Sequence, residues 1–191
     1  MESALYLASR SPRRQQLLAQ LGLAFELQPA DIDERRAPGQ SPEQYARATA
    51  LAKAQWVASR QPGAYSLGAD TDVVIDGQIL GKPPDAAACV EMLLRLSNRE
   101  HQVLSAVALL GPEFSAQCLT VTTVRFSPIS QAEAAAYWAT GEPADKAGGY
   151  AIQGLAARFV VSLQGSYSGV VGLPLFETAE LLQQAGFRVQ P

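Results

Sequence analysis

Apolar positions along this chain fall into two rhythms. Some form short continuous or alternating runs, and others form stripes repeating every three to four residues. Proline, glycine and capping residues mark the breaks between them. Ala4-Leu5-Tyr6-Leu7-Ala8 reads as a buried strand. Ser11-Pro12 then supplies an N-cap and a proline at the first helical position, and that helix runs through Leu17, Leu18 and Leu21 to Gly22. Phe25 to Gln28 is a second short strand, followed by a loop over 29–40. Ser41-Pro42-Glu43-Gln44 repeats the cap with a capping-box glutamine and predicts a helix to about Ser59. Leu67 to Ile75 is a strand, and Asp76-Gly77 turns it back into Gln78-Ile79-Leu80. Asp85 caps a helix through Leu96. Two long β runs cover Gln102–Leu110 and Gln117–Phe126, and Ser130 and Glu133 box a helix to about Thr140. A glycine-rich loop spans 141–149. Phe159–Leu163 and Gly169–Val171 read as strands around a turn at Gly165, and a last helix covers Leu175–Ala185. The order predicts one mixed α/β domain over 1–191, with long antiparallel hairpins and no regular βαβ alternation.

Composition narrows the function. With 191 residues and 48% apolar content the chain can bury a sizeable core. A formal charge of −3 argues against non-specific nucleic-acid binding. No apolar run approaches the roughly 18 residues of a membrane span, and the apolar start at Met1–Ala8 runs into Arg10, Arg13 and Arg14 instead of a cleavage site. The expected location is therefore cytoplasmic. Cys89 and Cys118 are far apart in sequence and read as small core residues, which suits a reducing compartment. The single histidine rules out a multi-His zinc site, and His101 reads as an exposed strand position rather than a base. The basic residues are 12 Arg and only three Lys: Lys53, Lys82 and Lys146.

Two stretches carry candidate chemistry. In Ser9-Arg10-Ser11-Pro12-Arg13-Arg14 the first turn of a helix holds arginines where acidic residues would suit the dipole. The positive potential there would suit a phosphate, although the arginines could equally bend away to surface carboxylates. In Gly68-Ala69-Asp70-Thr71-Asp72-Val73 the two-residue period puts Asp70 and Asp72 on one strand face and Thr71 on the other. Two acids in an apolar strand are costly unless they meet a cation or a polar cleft, and magnesium commonly bridges one or two carboxylates to substrate phosphates. The Asp-x-Asp string also resembles the first motif of haloacid dehalogenase phosphatases, but the late acidic pair those enzymes need is missing here.

Taken together, several segments resemble the Maf family of nucleoside triphosphate pyrophosphatases. They are Ser9-x-Ser11-Pro12-Arg13-Arg14, Gly68-Ala69-Asp70-Thr71, Gly81-Lys82-Pro83, Asp145-Lys146-Ala147-Gly148-x-Tyr150-x-Ile152-Gln153-Gly154 and Val171-Gly172-Leu173-Pro174. The resemblance implies a Maf/ITPase-like fold with two lobes around a central cleft, a divalent metal cation (Mg2+ or Mn2+) and a homodimer. It implies cleavage of a nucleoside triphosphate between the α and β phosphates. Arg13, Thr71 and Gln153 resemble the branch acting on dTTP and UTP, or on modified pyrimidine nucleotides, rather than the 7-methyl-GTP branch. On this likeness Asp70 is the catalytic carboxylate and Glu34 joins it at the metal. Ser9, Arg13, Arg14, Lys53, Lys82 and Lys146 serve the triphosphate, and Thr71 and Gln153 read the base. Asp72 stands where an aliphatic residue is expected, which leaves a second carboxylate at the metal open. A non-enzymatic alternative is a nucleotide-sensing regulator of septum formation, but a sensor has no need of Asp70 beside a metal.

Overall fold

The computed structural model describes residues 4–190, so Met1–Ser3 of the expected first segment and Pro191 lie outside the described residues. Among the described residues seven strands form one mixed sheet: β1 (Leu5–Leu7), β2 (Glu26–Leu27), β3 (Tyr65–Ile75), β4 (Gln78–Leu80), β5 (Glu100–Gly111), β6 (Phe114–Phe126) and β7 (Val160–Gln164). Their order is β2-β1-β3-β5-β6-β7, with β4 paired to β3. β1 lies parallel to β2 and β3, and the other pairings are antiparallel. The helices are α1 (Pro12–Ala19), α2 (Pro42–Ala58), α3 (Ala86–Leu96), α4 (Gln131–Ala139), α5 (Tyr167–Val171) and α6 (Leu175–Gln184). Among the described residues no helix is long and apolar enough to cross a membrane.

The caps sit where the local chemistry puts them. Ser11 accepts from the Arg14 amide, and Ser41 with Gln44 and Ser130 with Glu133 close full capping boxes. The Asp76-Gly77 turn has both residues at positive φ, 52° and 71°, as a tight two-residue hairpin requires.

The arrangement of β3 governs the site. β5 pairs with it along one edge, from Ser66 to Val74. On the other edge β1 covers Tyr65 to Leu67 and β4 covers Val73 to Ile75. Residues 68–72 between them have a strand partner on one side only, so the sheet opens there. The two faces of β3 meet different cores. Leu67, Ala69 and Val73 join the main apolar cluster, whereas Val74 packs with Leu104, Ala106 and Ala108 of β5 under Ala46, Ala50 and Ala54 of α2. The alanines recur every four residues, so one stripe of α2 lies low on the sheet. Gly68 permits that approach, because an added Cβ would overlap the Ala50 carbonyl oxygen and lie 2.6 Å from the Ala54 nitrogen.

Two expectations are corrected. Gly169–Val171 is helical, the end of α5, because the Ser166 hydroxyl accepts from the Gly169 amide at 3.0 Å and the Gly169 carbonyl accepts from Ser105 at 2.6 Å. His101 is not exposed. It is 3% accessible, stacked edge-on against Phe126 and Tyr150, with Nε2 2.8 Å from the Tyr150 hydroxyl and Nδ1 without a hydrogen-bond partner. Cys89 is buried and Cys118 half-buried, both as free thiols.

Burial pushes the His101 pKa down from 6.5 to about 4. Between those values the unfolded chain binds the proton and the folded chain does not, so stability is full above 6.5 and falls as pH drops through the window. His101→Gln should therefore flatten the acid side of the stability curve. Urea unfolding at pH 6.5 and 5 should show wild type losing about 2 kcal/mol more than the variant over that interval. Parallel losses in the two proteins would remove His101 as the cause.

Candidate active site

The opening at residues 68–72 leads into a cleft of about 650 Å³. All ten residues assigned to a site from the sequence line it: Ser9, Arg13, Arg14, Glu34, Lys53, Asp70, Thr71, Lys82, Lys146 and Gln153. The three lysines of the chain thus come from α2, from the segment after β4 and from the turn following the short 3-10 helix Glu142–Asp145, yet face one cavity.

The carboxylate arm is built by β3 and α2. Asp70 and Asp72 lie on the α2 face, both buried. Lys53, also buried, places Nζ 2.8 Å from Asp70 Oδ1 and 2.9 Å from Glu34 Oε1. The low seat of the alanine stripe brings the lysine down to the strand. Tyr45, two turns earlier on α2, donates its hydroxyl to the Glu34 carbonyl at 2.7 Å and also lines the cleft. Burial, then the Asp70 and Asp72 charges, push its phenol up to about 12. Tyr45, Thr49 and Lys53 recur at four-residue spacing, the signal in the sequence that could have found Tyr45.

Asp72 stands apart. Its Oδ2 is buried with no hydrogen-bond partner. Burial, and then the Asp70 carboxylate beside it, push its pKa far above the usual carboxylate range. Among the described residues no three His, Cys, Asp or Glu side chains already form a metal cluster. Hard oxygen donors with one buried oxygen unsatisfied nevertheless fit magnesium or manganese, which take one or two carboxylates and complete their shell with water and phosphate oxygens.

The phosphate arm begins at the end of β1. Ser9 accepts from the Ser11 amide at 3.1 Å and so shapes the entry to α1. Arg14 turns inward: Nε donates to the Gly172 carbonyl at 2.8 Å and Nη2 to the Thr71 hydroxyl at 3.2 Å. Thr71 itself donates to Gly172 at 3.3 Å. Arg14 and Thr71 therefore tie α1 and β3 to the segment after α5, on the face opposite Asp70. Arg13 reaches toward Asp145 at 4.0 Å, and Lys146 pairs with Asp145 as well. Lys82 is exposed and makes no ion pair with a described residue. The Gly148 amide donates to the Gly81 carbonyl at 3.0 Å, which holds the segments of Lys82 and Lys146 together. Gly148, at φ 68°, sits where an added Cβ would be 2.8 Å from Val73. Gln153 is exposed at the rim.

An open-sheet cleft lined by a buried carboxylate pair and six cationic side chains is suited to a polyanion held beside a carboxylate centre. The chain belongs to the family described as Maf-like protein, which it matches over residues 4–185. Two relatives illustrate the likeness. A dTTP/UTP pyrophosphatase of Colwellia psychrerythraea is 50% identical, covering 96% of this chain and 89% of its own. A dTTP/UTP pyrophosphatase of Saccharophagus degradans is 53% identical, covering 93% and 87%. A solved nucleoside-triphosphatase / dITP/XTP pyrophosphatase of Mycobacterium abscessus overlaps 66% of this chain and 75% of its own, at 21% identity and TM-score 0.43.

Proposed function

We propose that the protein hydrolyses dTTP and UTP to the monophosphate and pyrophosphate. The observation that carries this is the convergence of Lys82, Lys146 and Arg13 on one cleft that is also lined by the Asp70–Asp72 pair, with Lys53 bound to Asp70. The names of the relatives supply the substrate pair.

Lys82, Lys146 and Arg13 hold the triphosphate and offset its charge. Asp145 keeps Arg13 and Lys146 near each other until the substrate's phosphates replace it as their partner. Asp70 accepts the proton of a water that attacks the α phosphorus. The α–β bridging oxygen leaves with pyrophosphate as the new P–O bond forms. Lys53 fixes the Asp70 carboxylate through Oδ1 and keeps Glu34 beside it. Asp70 and Glu34 would hold a divalent cation, and Asp72 Oδ2 is the further donor within the same wall. When bound, that ion neutralises phosphate charge and acidifies coordinated water. Arg14 and Thr71 brace the cleft floor through Gly172. Gln153 reads the pyrimidine edge, since its amide offers both a donor and an acceptor. A homodimer is proposed only from the resemblance of the sequence motifs, and the free thiols support a cytoplasmic location.

The test is product analysis on a nucleotide panel with magnesium or manganese, run on wild type and Gln153→Ala. Wild type should release pyrophosphate, fastest from dTTP and UTP. Orthophosphate as the first product would overturn the reading and favour a phosphatase. Gln153→Ala should narrow the gap between dTTP or UTP and CTP or GTP by about tenfold or more. An unchanged ranking removes Gln153 from base selection.

A further inference from the structure

Behind the segment that carries Gln153 sits a carboxylate–phenol pair that does not line the cleft. Tyr137, near the end of α4, is buried and donates its hydroxyl to Glu142 Oε1 at 2.6 Å. The same hydroxyl accepts from the Ala151 amide at 3.1 Å. Glu142 accepts from the Leu155 amide at 3.0 Å through Oε2 and from the Ala156 amide at 3.4 Å through Oε1. The pair therefore grips the chain just before Ile152-Gln153-Gly154 and just after it. Two of its amide partners open the 3-10 turn Leu155–Phe159, whose first N–H groups would otherwise lack acceptors. Gly154 belongs to the same device, because a Cβ there would overlap the Glu142 carboxylate. Glu142 also opens the 3-10 turn that leads into Asp145 and Lys146. One carboxylate thus joins the phosphate-binding turn to the loop at the rim.

The geometry points to a positioning role: we propose that Tyr137 and Glu142 clamp the 151–156 segment so that Gln153 meets the nucleotide base at a fixed height above Lys146. This rests on the reading of Gln153 as the base-selecting residue. Gln153 is exposed and its side chain makes no hydrogen bond with a described residue, so the placement of its amide depends on how its backbone segment is held. Asp70 and Lys53 lie on the opposite wall and touch neither clamp residue, so losing the clamp should weaken selection more than chemistry.

The test measures kcat and KM for dTTP, UTP, CTP and GTP in wild type, Gln153→Ala, Glu142→Ala, Glu142→Gln, Tyr137→Phe and the Gln153→Ala/Glu142→Ala double variant. Glu142→Ala should lower the preference for dTTP about tenfold, chiefly through KM, and the double variant should add little to Gln153→Ala alone. Glu142→Gln should recover most of the preference, since its carbonyl can still accept from Leu155 and its amide can donate to the Tyr137 oxygen. Tyr137→Phe keeps the ring in its packing place and should shift the preference in the same direction as Glu142→Ala. It also decides the matter if Glu142→Ala fails to fold. A ranking that moves in Gln153→Ala but not in Tyr137→Phe or the Glu142 variants overturns the clamp and leaves Gln153 its role. A ranking that moves in none of them overturns both.

Discussion

Asp70→Asn should give a folded protein that releases pyrophosphate from dTTP about 10²–10⁴-fold more slowly than wild type, the range a positioned general base contributes. The substitution keeps the volume of the side chain and removes one of two adjacent buried carboxylates, which relieves repulsion with Asp72. Lys53 retains Glu34 at 2.9 Å as its partner, so no buried charge is stranded. Thermal unfolding should accordingly change little while turnover collapses. That separation distinguishes a catalytic role from a structural one. Hydrolysis at near wild-type rate would show that Asp70 takes no proton in the reaction.

Gly68→Ala is expected to have the largest effect on stability. The new methyl would meet the Ala50 carbonyl oxygen and the Ala54 nitrogen, both backbone atoms of α2 with no rotamer to yield. Helix and strand must separate, disturbing the alanine stripe and the Ser66 hydroxyl bond to the Ala54 carbonyl at 2.9 Å. Overpacking of this kind costs about 1–3 kcal/mol or more, which for a chain of this size lowers Tm by roughly 3–10 °C. Lys53 would move away from Asp70 with the helix, so activity should fall as well. Gly81→Ala is the control, since a Cβ there meets nothing within 4 Å. Equal melting temperatures for the two variants would show that α2 does not sit against β3 at Gly68.

Much of this molecule could be read from residues a few positions apart. Ser11-Pro12, Ser41 with Gln44, Ser130 with Glu133 and Asp76-Gly77 each form the feature their local chemistry demands, because the interacting groups lie within one turn of chain. The alternation that put Asp70 and Asp72 on one face and Thr71 on the other holds for the same reason. The failures were non-local. Gly169–Val171 has strand-like composition, but the Ser166 cap and the Ser105 hydroxyl, 64 positions away, make it helix. His101 lies in a polar stretch of sequence, yet Phe126 and Tyr150 close over it. Glu142 gave no signal, because its partners are a phenol and two amides of a later turn.

The sequence by itself determined most of the elements and their order, the side of β3 each acid takes and the family the motifs resemble. Only the tertiary structure decided that β1 and β4 leave residues 68–72 of β3 uncovered on one edge, so that a cleft opens there. It alone seated Lys53 between Glu34 and Asp70, turned Arg14 inward to Gly172 and gathered the three lysines around one cavity. Backbone caps and strand alternation depend on neighbours along the chain and are encoded there. Ion pairing and sheet edges depend on which distant segments pack together, and that depends on fits such as the one Gly68 allows under α2.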